Sequence, residues 1–290
     1  PGLNALFGLE YKRYENQHAE IYATESSDRA FEEEVMLSGF ANAQVKGEGS
    51  GVSFDEAQET FTARYTHETV ALAFAITEEA IEDNLYDRLA SRYTKALARS
   101  MSNAKQVKSV EPLINGLPTA DAFDSGDGVS LFNTAHPTVA GTFANTLATQ
   151  ADLNETSLEQ SLIDIGQMSD ERGLRIAARG VKMIIPSELQ FTAERLMKSQ
   201  GRTSTADNDI NAIVSMGMIP QGYRVNNYLT DSDAFYILTD VPNGMKMFNR
   251  APLKTAMEGD FDTGNVRYKA RERYSFGVSD PRGIFGVEGA

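Results

Sequence analysis

His136 is the histidine of this sequence whose neighbours most resemble a catalytic group. It follows Asp127 and Ser130 within ten residues, and a Ser-His-Asp hydrolase site is one interpretation, because such triads are assembled in space. The sequence has no Gly-x-Ser-x-Gly elbow, and a histidine directly before a proline in a loop is more typical of a structural turn. His18 and His67 have no obvious catalytic setting. We therefore predict no catalytic residue and keep a soluble acidic hydrolase as the least favoured alternative.

Motifs that bind cofactors or metals are missing from the sequence. Gly47, Gly49 and Gly51 form a G-x-G-x-G run, which lacks the third glycine of the dinucleotide fingerprint and does not stand between a strand and a helix. The chain has no cysteine, which excludes disulfides, thiolate metal sites and cysteine nucleophiles and fits a reducing compartment. We predict no cofactor and no metal.

Composition narrows the class of protein further. With 290 residues, 41% hydrophobic and 23% charged, the chain can bury a sizeable core. Its net charge of -14 argues against sequence-specific binding to nucleic acid, which needs lysine and arginine to neutralise phosphates. No window approaches 18 consecutive apolar residues, so we predict no membrane span, and no secretory signal is visible.

The charge is unevenly distributed along the chain. Residues 14–87 contain 17 acidic and 3 basic side chains, whereas residues 88–110 contain six cations and no acid. Four of these cations recur at helical spacing and are called the basic row: Arg88, Arg92, Lys95 and Arg99. This asymmetry favours complementary surfaces between copies of one chain. The simpler alternative is a solvated acidic arm followed by a helix with a wet basic face.

The first part of the chain predicts an arm and a hairpin. Residues 1–40 read as an irregular arm with a short helix near 28–37, and residues 41–76 read as a long hairpin. Within Thr60–Ile76 the apolar positions are odd up to Tyr65 and even from Val70 onward, so the two ends of the strand bury opposite faces. We expect the outer half to present Phe61 and Tyr65 to another molecule, because an isolated hairpin is marginally stable and this one has no resting place on its own chain.

A long helix follows the hairpin. Thr77 is a predicted N-cap, and apolar residues recur at helical spacing until Pro112 and Gly116 end the element. About 33 residues would form a rod of about 50 Å, longer than the usual helix of a globular domain. Residues 117–150 read as loop. The remaining predicted elements are helices at 156–169 and 187–198 and strands at 181–185, 223–227, 234–239, 245–248 and 266–274.

Five stretches in this order resemble the major capsid (head) proteins of tailed bacteriophages, and within them the Mu-like head subunits. The stretches are AITEEAIEDNLY (75–86), DGVSLFNTAHP (127–137) with Gly141, Thr142 and Asn145 after it, IIPSEL (184–189), NYLTDSDAFYILTD (227–240) and RYSFGVSDPRGIFG (273–286). The resemblance implies an α+β, HK-97-like capsid fold. Its parts would be an N-arm (1–40), an E-loop (41–76), a peripheral domain with a spine helix (77–119 and 241–275) and a mixed α/β axial domain (120–240 and 276–290).

The resemblance also implies a function. The chain would be a structural protein that assembles as pentamers and hexamers into the icosahedral head around double-stranded DNA, with only non-specific proximity to that DNA. It would reside in the virion after assembly in the host cytoplasm, with scaffolding, portal and decoration proteins as further partners. We expect subunit contacts at Phe61, Tyr65 and the basic row, where the outer hairpin of a neighbour would bind.

Two further expectations follow from the resemblance. Some of these proteins form Lys–Asn isopeptide cross-links, but Lys46 is the only lysine between Arg13 and Lys95 and is predicted near the base of the hairpin, so we expect no cross-linking. A scaffolding segment does not precede Pro1, which is consistent with a separate scaffolding protein, with proteolysis or with removal of a methionine. The nearest alternative is an encapsulin-type shell protein of a cellular nanocompartment; a tail or baseplate protein is a third possibility.

Overall fold

The computed structural model describes residues 2–83, 86–120, 123–201, 209–260 and 264–290. Within these ranges the helices are α1 (Gly2–Arg13), α2 (Glu78–Glu82), α3 (Tyr86–Asn115), α4 (Glu155–Gln167), α5 (Gln190–Lys198) and α6 (Ala212–Met216). The strands are β1 (Ala23–Ser26), β2 (Phe31–Leu37), β3 (Glu59–Thr66), β4 (Glu68–Ile76), β5 (His136–Thr138), β6 (Gly141–Phe143), β7 (Gly180–Ile185), β8 (Tyr223–Val225), β9 (Phe235–Thr239), β10 (Met245–Gly259), β11 (Val266–Val278) and β12 (Ile284–Val287).

The chain divides into two compact units, and neither is continuous in sequence. Unit 1 comprises Pro1–Glu32, Tyr65–Ser109 and Met247–Phe276, and unit 2 comprises Glu33–Arg64, Val110–Lys246 and Gly277–Ala290. The ranges of unit 1 overlap those predicted for the peripheral domain, and most of the predicted axial domain lies in unit 2. The predicted E-loop is divided, because its strand β4 belongs to unit 1.

Unit 1 consists of a sheet with helices on one face. Its strands are ordered β1-β10-β11-β4, and β4 pairs antiparallel with β11. The core between sheet and helices is small and contains side chains from α1, α3 and β11: Phe7, Leu97, Ala98, Met101, Tyr268 and Ala270. Because these residues of α3 point toward the sheet, the opposite side of the helix is left to solvent.

Unit 2 contains the larger core. Its sheet has the order β12-β9-β7-β8, in which β7 and β8 are parallel and the other neighbours are antiparallel. Helix α4 begins with a capping box in which Asn154 and Ser157 exchange side-chain to backbone hydrogen bonds. It buries Leu158 and Ile165 in the same core as Phe235 and Phe285 of the sheet.

Strands β2 and β3 form a two-stranded sheet, and the chain between them projects from it. The Ser38 amide donates to the Gln58 carbonyl at 2.8 Å, which closes the paired part of the hairpin. Residues 40–58, called the tip, contain no strand and are exposed throughout. The change of phase predicted along this chain is confirmed, since the buried positions are odd in β3 and even in β4.

Three predictions about the arm and the long helix are wrong. Residues 2–13 are a helix and not irregular, and residues 31–37, predicted to be part of a short helix, form strand β2, whose alternating exposed and half-buried side chains fit a strand. The long helix is not ended by Pro112, which lies inside it, but it does end directly before Gly116, at Asn115. Thr77 is the predicted cap, and its hydroxyl accepts from the Ala80 amide at 3.4 Å, but it begins the short helix α2.

The interior elements that were predicted agree more closely with the structure. Helix α4, strand β7, helix α5 and strands β8, β9, β10 and β11 all occur where periodicity placed them, within a few residues at most ends. Two differences are larger. Strand β10 extends to Gly259, and the predicted loop 117–150 contains the short pair β5–β6.

Candidate assembly surfaces and a buried polar hub

The histidine singled out from the sequence lies at the centre of a buried hydrogen-bond network in unit 2. The His136 side chain is completely buried and joins two partners, Asp127 Oδ2 at 2.6 Å from Nδ1 and Asn145 Oδ1 at 2.9 Å from Nε2. The ring also stacks on Phe143 with 4.8 Å between centroids. Both ring nitrogens therefore face oxygen atoms of neighbouring side chains.

Asn145 connects this histidine to the backbone of two other segments. Its Nδ2 donates to the carbonyls of Leu131 at 2.7 Å and Pro281 at 3.0 Å, and its Oδ1 accepts from the Asn133 amide at 2.9 Å. A side-chain amide can make four such bonds, and here all four are made inside the protein. We call His136, Asp127 and Asn145 the hub.

The hub has no catalytic arrangement. Ser130, the nucleophile of the hydrolase alternative, donates to the Phe132 carbonyl at 3.3 Å, and no bond to His136 is recorded. Burial raises the pKa of Asp127, but hydrogen bonds from His136 and Ser125 lower it by more, so the net shift is downward. An ionised Asp127 and a ring bonded on both nitrogens leave no free base for a nucleophile. The hub holds loops together.

A second buried network surrounds Arg282. Its guanidinium lies 2.5 Å from Glu171 Oε1 and 3.2 Å from Asp280 Oδ1, and its Nε donates to the Ser169 carbonyl at 2.8 Å. Only 3% of Arg282 is exposed. The same guanidinium lies 4.2 Å from the centroid of the Phe143 ring, so the two networks share an aromatic neighbour.

The basic row lies on the solvent side of α3. Arg92, Lys95 and Arg99 are exposed, and a groove of about 570 Å³ beside them is lined by Tyr14, Lys95, Ala96, Arg99, Ser100 and Asn103. Arg88 lies on the same helix, but its side chain falls outside the described part of the chain. The predicted clustering of cations on one face is therefore seen for the three residues that are described.

The two aromatic residues predicted for the subunit interface are placed differently. Phe61 is half-buried in β3. Tyr65 is 3% exposed, and its ring packs edge-on against Phe248 of β10, with 4.7 Å between centroids. The expectation that Tyr65 is presented to another molecule needs correction, because its side chain is already covered by its own chain.

The hairpin also contacts its own chain, contrary to expectation. Arg172 Nη2 donates to the Glu56 carbonyl at 2.6 Å and lies 3.6 Å from Asp55 Oδ1. At Gly126, a Cβ atom would come within 2.8 Å of the Thr62 carbonyl, so this loop and β3 approach closely. The hairpin is thus supported by the rest of unit 2 at β3 and at Asp55 and Glu56 of the tip.

The tip carries features that sequence reasoning missed. Val45 is 100% and Phe54 is 97% exposed, and Phe40 and Val52 are also largely exposed. Apolar side chains within a glycine- and serine-rich turn were the available signal. Lys46 is also in the tip, so the expectation that it lies near the base of the hairpin is wrong.

The described residues contain no group of three or more acidic, histidine or cysteine side chains that could bind a metal. In the same part of the chain, no helix is long and apolar enough to cross a membrane.

Comparisons with known proteins agree with this architecture. No curated protein matches the sequence significantly. The virus-like particle from Pyrococcus furiosus is similar with a TM-score of 0.57 at 10% identity, over 99% of this chain and 98% of that chain. The capsid of the native GTA particle gives 0.57 at 13% identity over 94% and 89%, and the capsid of Myoviridae phage XM1 gives 0.54 at 11% over 93% and 89%. These likenesses show an α+β, HK-97-like capsid fold.

A family model described as phage capsid protein matches residues 59–287, well over half of the chain. The match includes the hub, the basic row, the whole sheet of unit 2 and the strands β4, β10 and β11 of unit 1. The chain therefore belongs to the phage capsid protein family and is a structural capsid protein.

Proposed function

We propose that this protein assembles as pentamers and hexamers into the icosahedral head that encloses the double-stranded DNA of a tailed phage. The observation that carries this proposal is the tip, whose almost fully exposed Val45 and Phe54 need a covering that a single chain does not provide. The proposed role needs no catalysis, and the candidate catalytic histidine is engaged in structural hydrogen bonds.

Negative-stain electron microscopy of the purified protein tests the proposal. Closed shells, or pentamers and hexamers, are expected. A small discrete oligomer that never forms shells under any salt concentration would contradict it. An acidic hydrolase, the alternative of another class, would remain such an oligomer and would lose turnover on substitution of His136.

The subunit contacts that we propose involve Phe61 and the basic row with Arg88. The exposed acids of a neighbour's hairpin, such as Glu33 and Glu59, would lie against Arg92, Lys95 and Arg99, because opposite charges orient partners and accelerate association. Reversing Arg92 and Arg99 to glutamate should slow assembly and weaken its dependence on salt. Substitution of both by glutamine is the matched control and should have an intermediate effect; unchanged assembly in the glutamate variant would contradict the contact.

An encapsulin-type shell remains the second candidate, because the similar virus-like particle from Pyrococcus furiosus is covered along almost its whole length. The two functions differ in what the shell contains. A phage head contains DNA. It forms in the host cytoplasm with scaffolding, portal and decoration proteins and then becomes part of the virion. Particles purified from the native source should therefore hold nuclease-protected DNA and carry tails; particles filled with an enzyme would favour the alternative.

A further inference from the structure

The sheet of unit 1 ends on one side in an unprotected edge strand. β4 pairs with β11 over nine consecutive residues without a bulge, and among the described residues no strand lies on its other side. After Glu68, β4 contains no charge and no proline, whereas edge strands are normally short, charged or bulged. The opposite edge, β1, has only four residues. The β4 edge is therefore suited to accept a further strand.

The sheet face that turns away from α3 is cationic beside this edge. Strand β11 places three exposed cations on it, Arg267, Lys269 and Arg271, of which Arg267 is ion-paired with Asp260. The residues directly opposite them on β4 are all alanines: Ala75, Ala73 and Ala71. Such small side chains leave room for the long cations to extend toward the edge. A strand added beside β4 would meet positive charge on this face.

The other face of β4 offers apolar surface. Leu72 shares this face with Val70 and Phe74, which pack against the core of unit 1. Leu72 nevertheless remains 46% exposed. An added strand would need apolar side chains on this face to cover it.

Residues 51–57 of the tip have the complementary pattern. Their even positions include Val52 and Phe54, which are 69% and 97% exposed. Their odd positions are small or acidic: Ser53, Asp55 and Ala57. Since side chains alternate between the two faces of a strand, an extended 51–57 would place Val52 and Phe54 on one face, with Glu56 at the end of that face, and the Asp55 carboxylate on the other.

We propose that residues 51–57 of one copy add as a fifth strand to the β4 edge of a second copy. Val52 and Phe54 then cover Leu72, and Asp55 faces Lys269 and Arg271. The contacts of Asp55 and Glu56 with Arg172 in their own chain are exchanged for this pairing. The inference deepens the proposed function and rests on it only for the presence of a second copy.

Disulfide trapping tests the pairing, because the chain has no cysteine of its own. Particles are assembled from a mixture of two single variants, Leu72→Cys with either Phe54→Cys or Val52→Cys, and oxidised mildly. A disulfide requires Cα atoms about 4.4–6.8 Å apart, so at least one mixture should give a covalent dimer on a non-reducing gel. Each single variant alone, and Phe54→Cys mixed with Ala73→Cys, which faces the opposite side, should remain monomeric on that gel.

The possible outcomes separate this inference from the proposed function. Particles that form normally, with no more cross-linking in the Leu72 mixtures than in the Ala73 control, would overturn the strand addition and leave the shell intact. Failure of the unmodified protein to form particles would instead overturn the shell.

A charge swap gives a second measurement that does not depend on oxidation. The double change Lys269→Glu and Arg271→Glu should raise the protein concentration needed for assembly several-fold, and adding Asp55→Lys should recover part of the loss. Lys254→Glu, an exposed change on neighbouring β10, is the matched control. No recovery by Asp55→Lys, together with an equal loss in the Lys254 control, would contradict the pairing of these groups.

Discussion

The hub and the tip are both exceptions to the usual placement of side chains. The hub buries polar side chains, and the tip exposes apolar ones. In the hub, His136, Asp127 and Asn145 are almost completely buried and bonded to one another and to the backbone. In the tip, Val45 and Phe54 are almost completely exposed. Buried polar groups must find partners within the chain, whereas exposed apolar groups find them in other molecules. The first region thus stabilises the fold of a unit, and the second is the surface that we propose for its association.

The largest loss of folding stability is expected on substitution of Arg282, the buried arginine next to the hub. Arg282→Met leaves Glu171 and Asp280 without their shared cation, and removal of one partner from a buried ion pair costs about 3–5 kcal/mol. Urea unfolding of the unassembled chain measures the loss. Arg92→Met, on the exposed side of α3, is the control and should change the free energy of unfolding by no more than about 0.5 kcal/mol. Equal losses in the two variants would show that the buried network contributes nothing special.

Truncating the hub amide should cost less but remain severe. Asn145→Ala removes four hydrogen bonds and leaves His136 Nε2, the Asn133 amide and the Leu131 carbonyl without the amide that they bond to, which we expect to lower the free energy of unfolding by about 2–4 kcal/mol. The same urea titration measures it, with the exposed Asn103→Ala as control. A loss below about 1 kcal/mol would mean that water replaces the amide without penalty.

A buried histidine of unit 1, His18, should make the stability of the fold depend on pH. His18 accepts at Nδ1 from the Gln106 side chain at 3.1 Å, and burial together with nearby Lys105 lowers its pKa to about 4. The unfolded chain therefore binds a proton at a higher pH than the folded one, so stability is complete above about pH 6.5 and is lost as the pH falls toward 4.

The expected loss from His18 is roughly 2–3 kcal/mol across that interval. It is measured by urea unfolding at several pH values, with His18→Gln as the comparison. The glutamine variant should show a flatter dependence of stability on pH between 6.5 and 4. Parallel curves for the two proteins would contradict the assignment.

The smallest effect on folding is expected at the tip. Val52→Asp with Phe54→Asp changes only exposed side chains, so the free energy of unfolding should move by no more than about 0.5 kcal/mol, while assembly is lost. Sedimentation of the variant under assembly conditions measures the second effect. Val45→Asp, equally exposed but outside 51–57, is the matched control and should assemble more readily. If Val52→Asp with Phe54→Asp lowered the free energy of unfolding as much as Asn145→Ala does, the tip and the hub would not differ in their contribution to folding.

Periodicity predicted the interior of the molecule better than its projecting parts. In helix α4 the apolar residues recur about every 3.6 residues, and in strand β7 they are nearly continuous. Both patterns arise because each element packs on the large core of unit 2. The strand β2 was predicted as helix because Glu32, Glu33 and Glu34 favour helix locally, and the pairing with β3 that overrides this preference is non-local.

The candidate sites were predictable in part. The basic row was visible because its spacing is that of one helix face, and the structure exposes Arg92, Lys95 and Arg99 there. The burial of Tyr65 was not visible, because it depends on Phe248, which is 183 positions away. The resemblance drew attention to the stretch with His136 and Asn145, but the bonds that join them to Pro281 could be found only in three dimensions.

Both units are built from separate stretches of the chain, and this affects when each can fold during synthesis. Strand β12 and Phe285 complete the core of unit 2, yet they follow all of the chain that builds unit 1. On a ribosome, which releases the amino-terminal part first, unit 2 must wait for its last strand while β10 and β11 are being made. A nascent chain would thus lack a finished unit 2 until β12 has been made, and premature association on the polysome would be limited without any dedicated inhibitor.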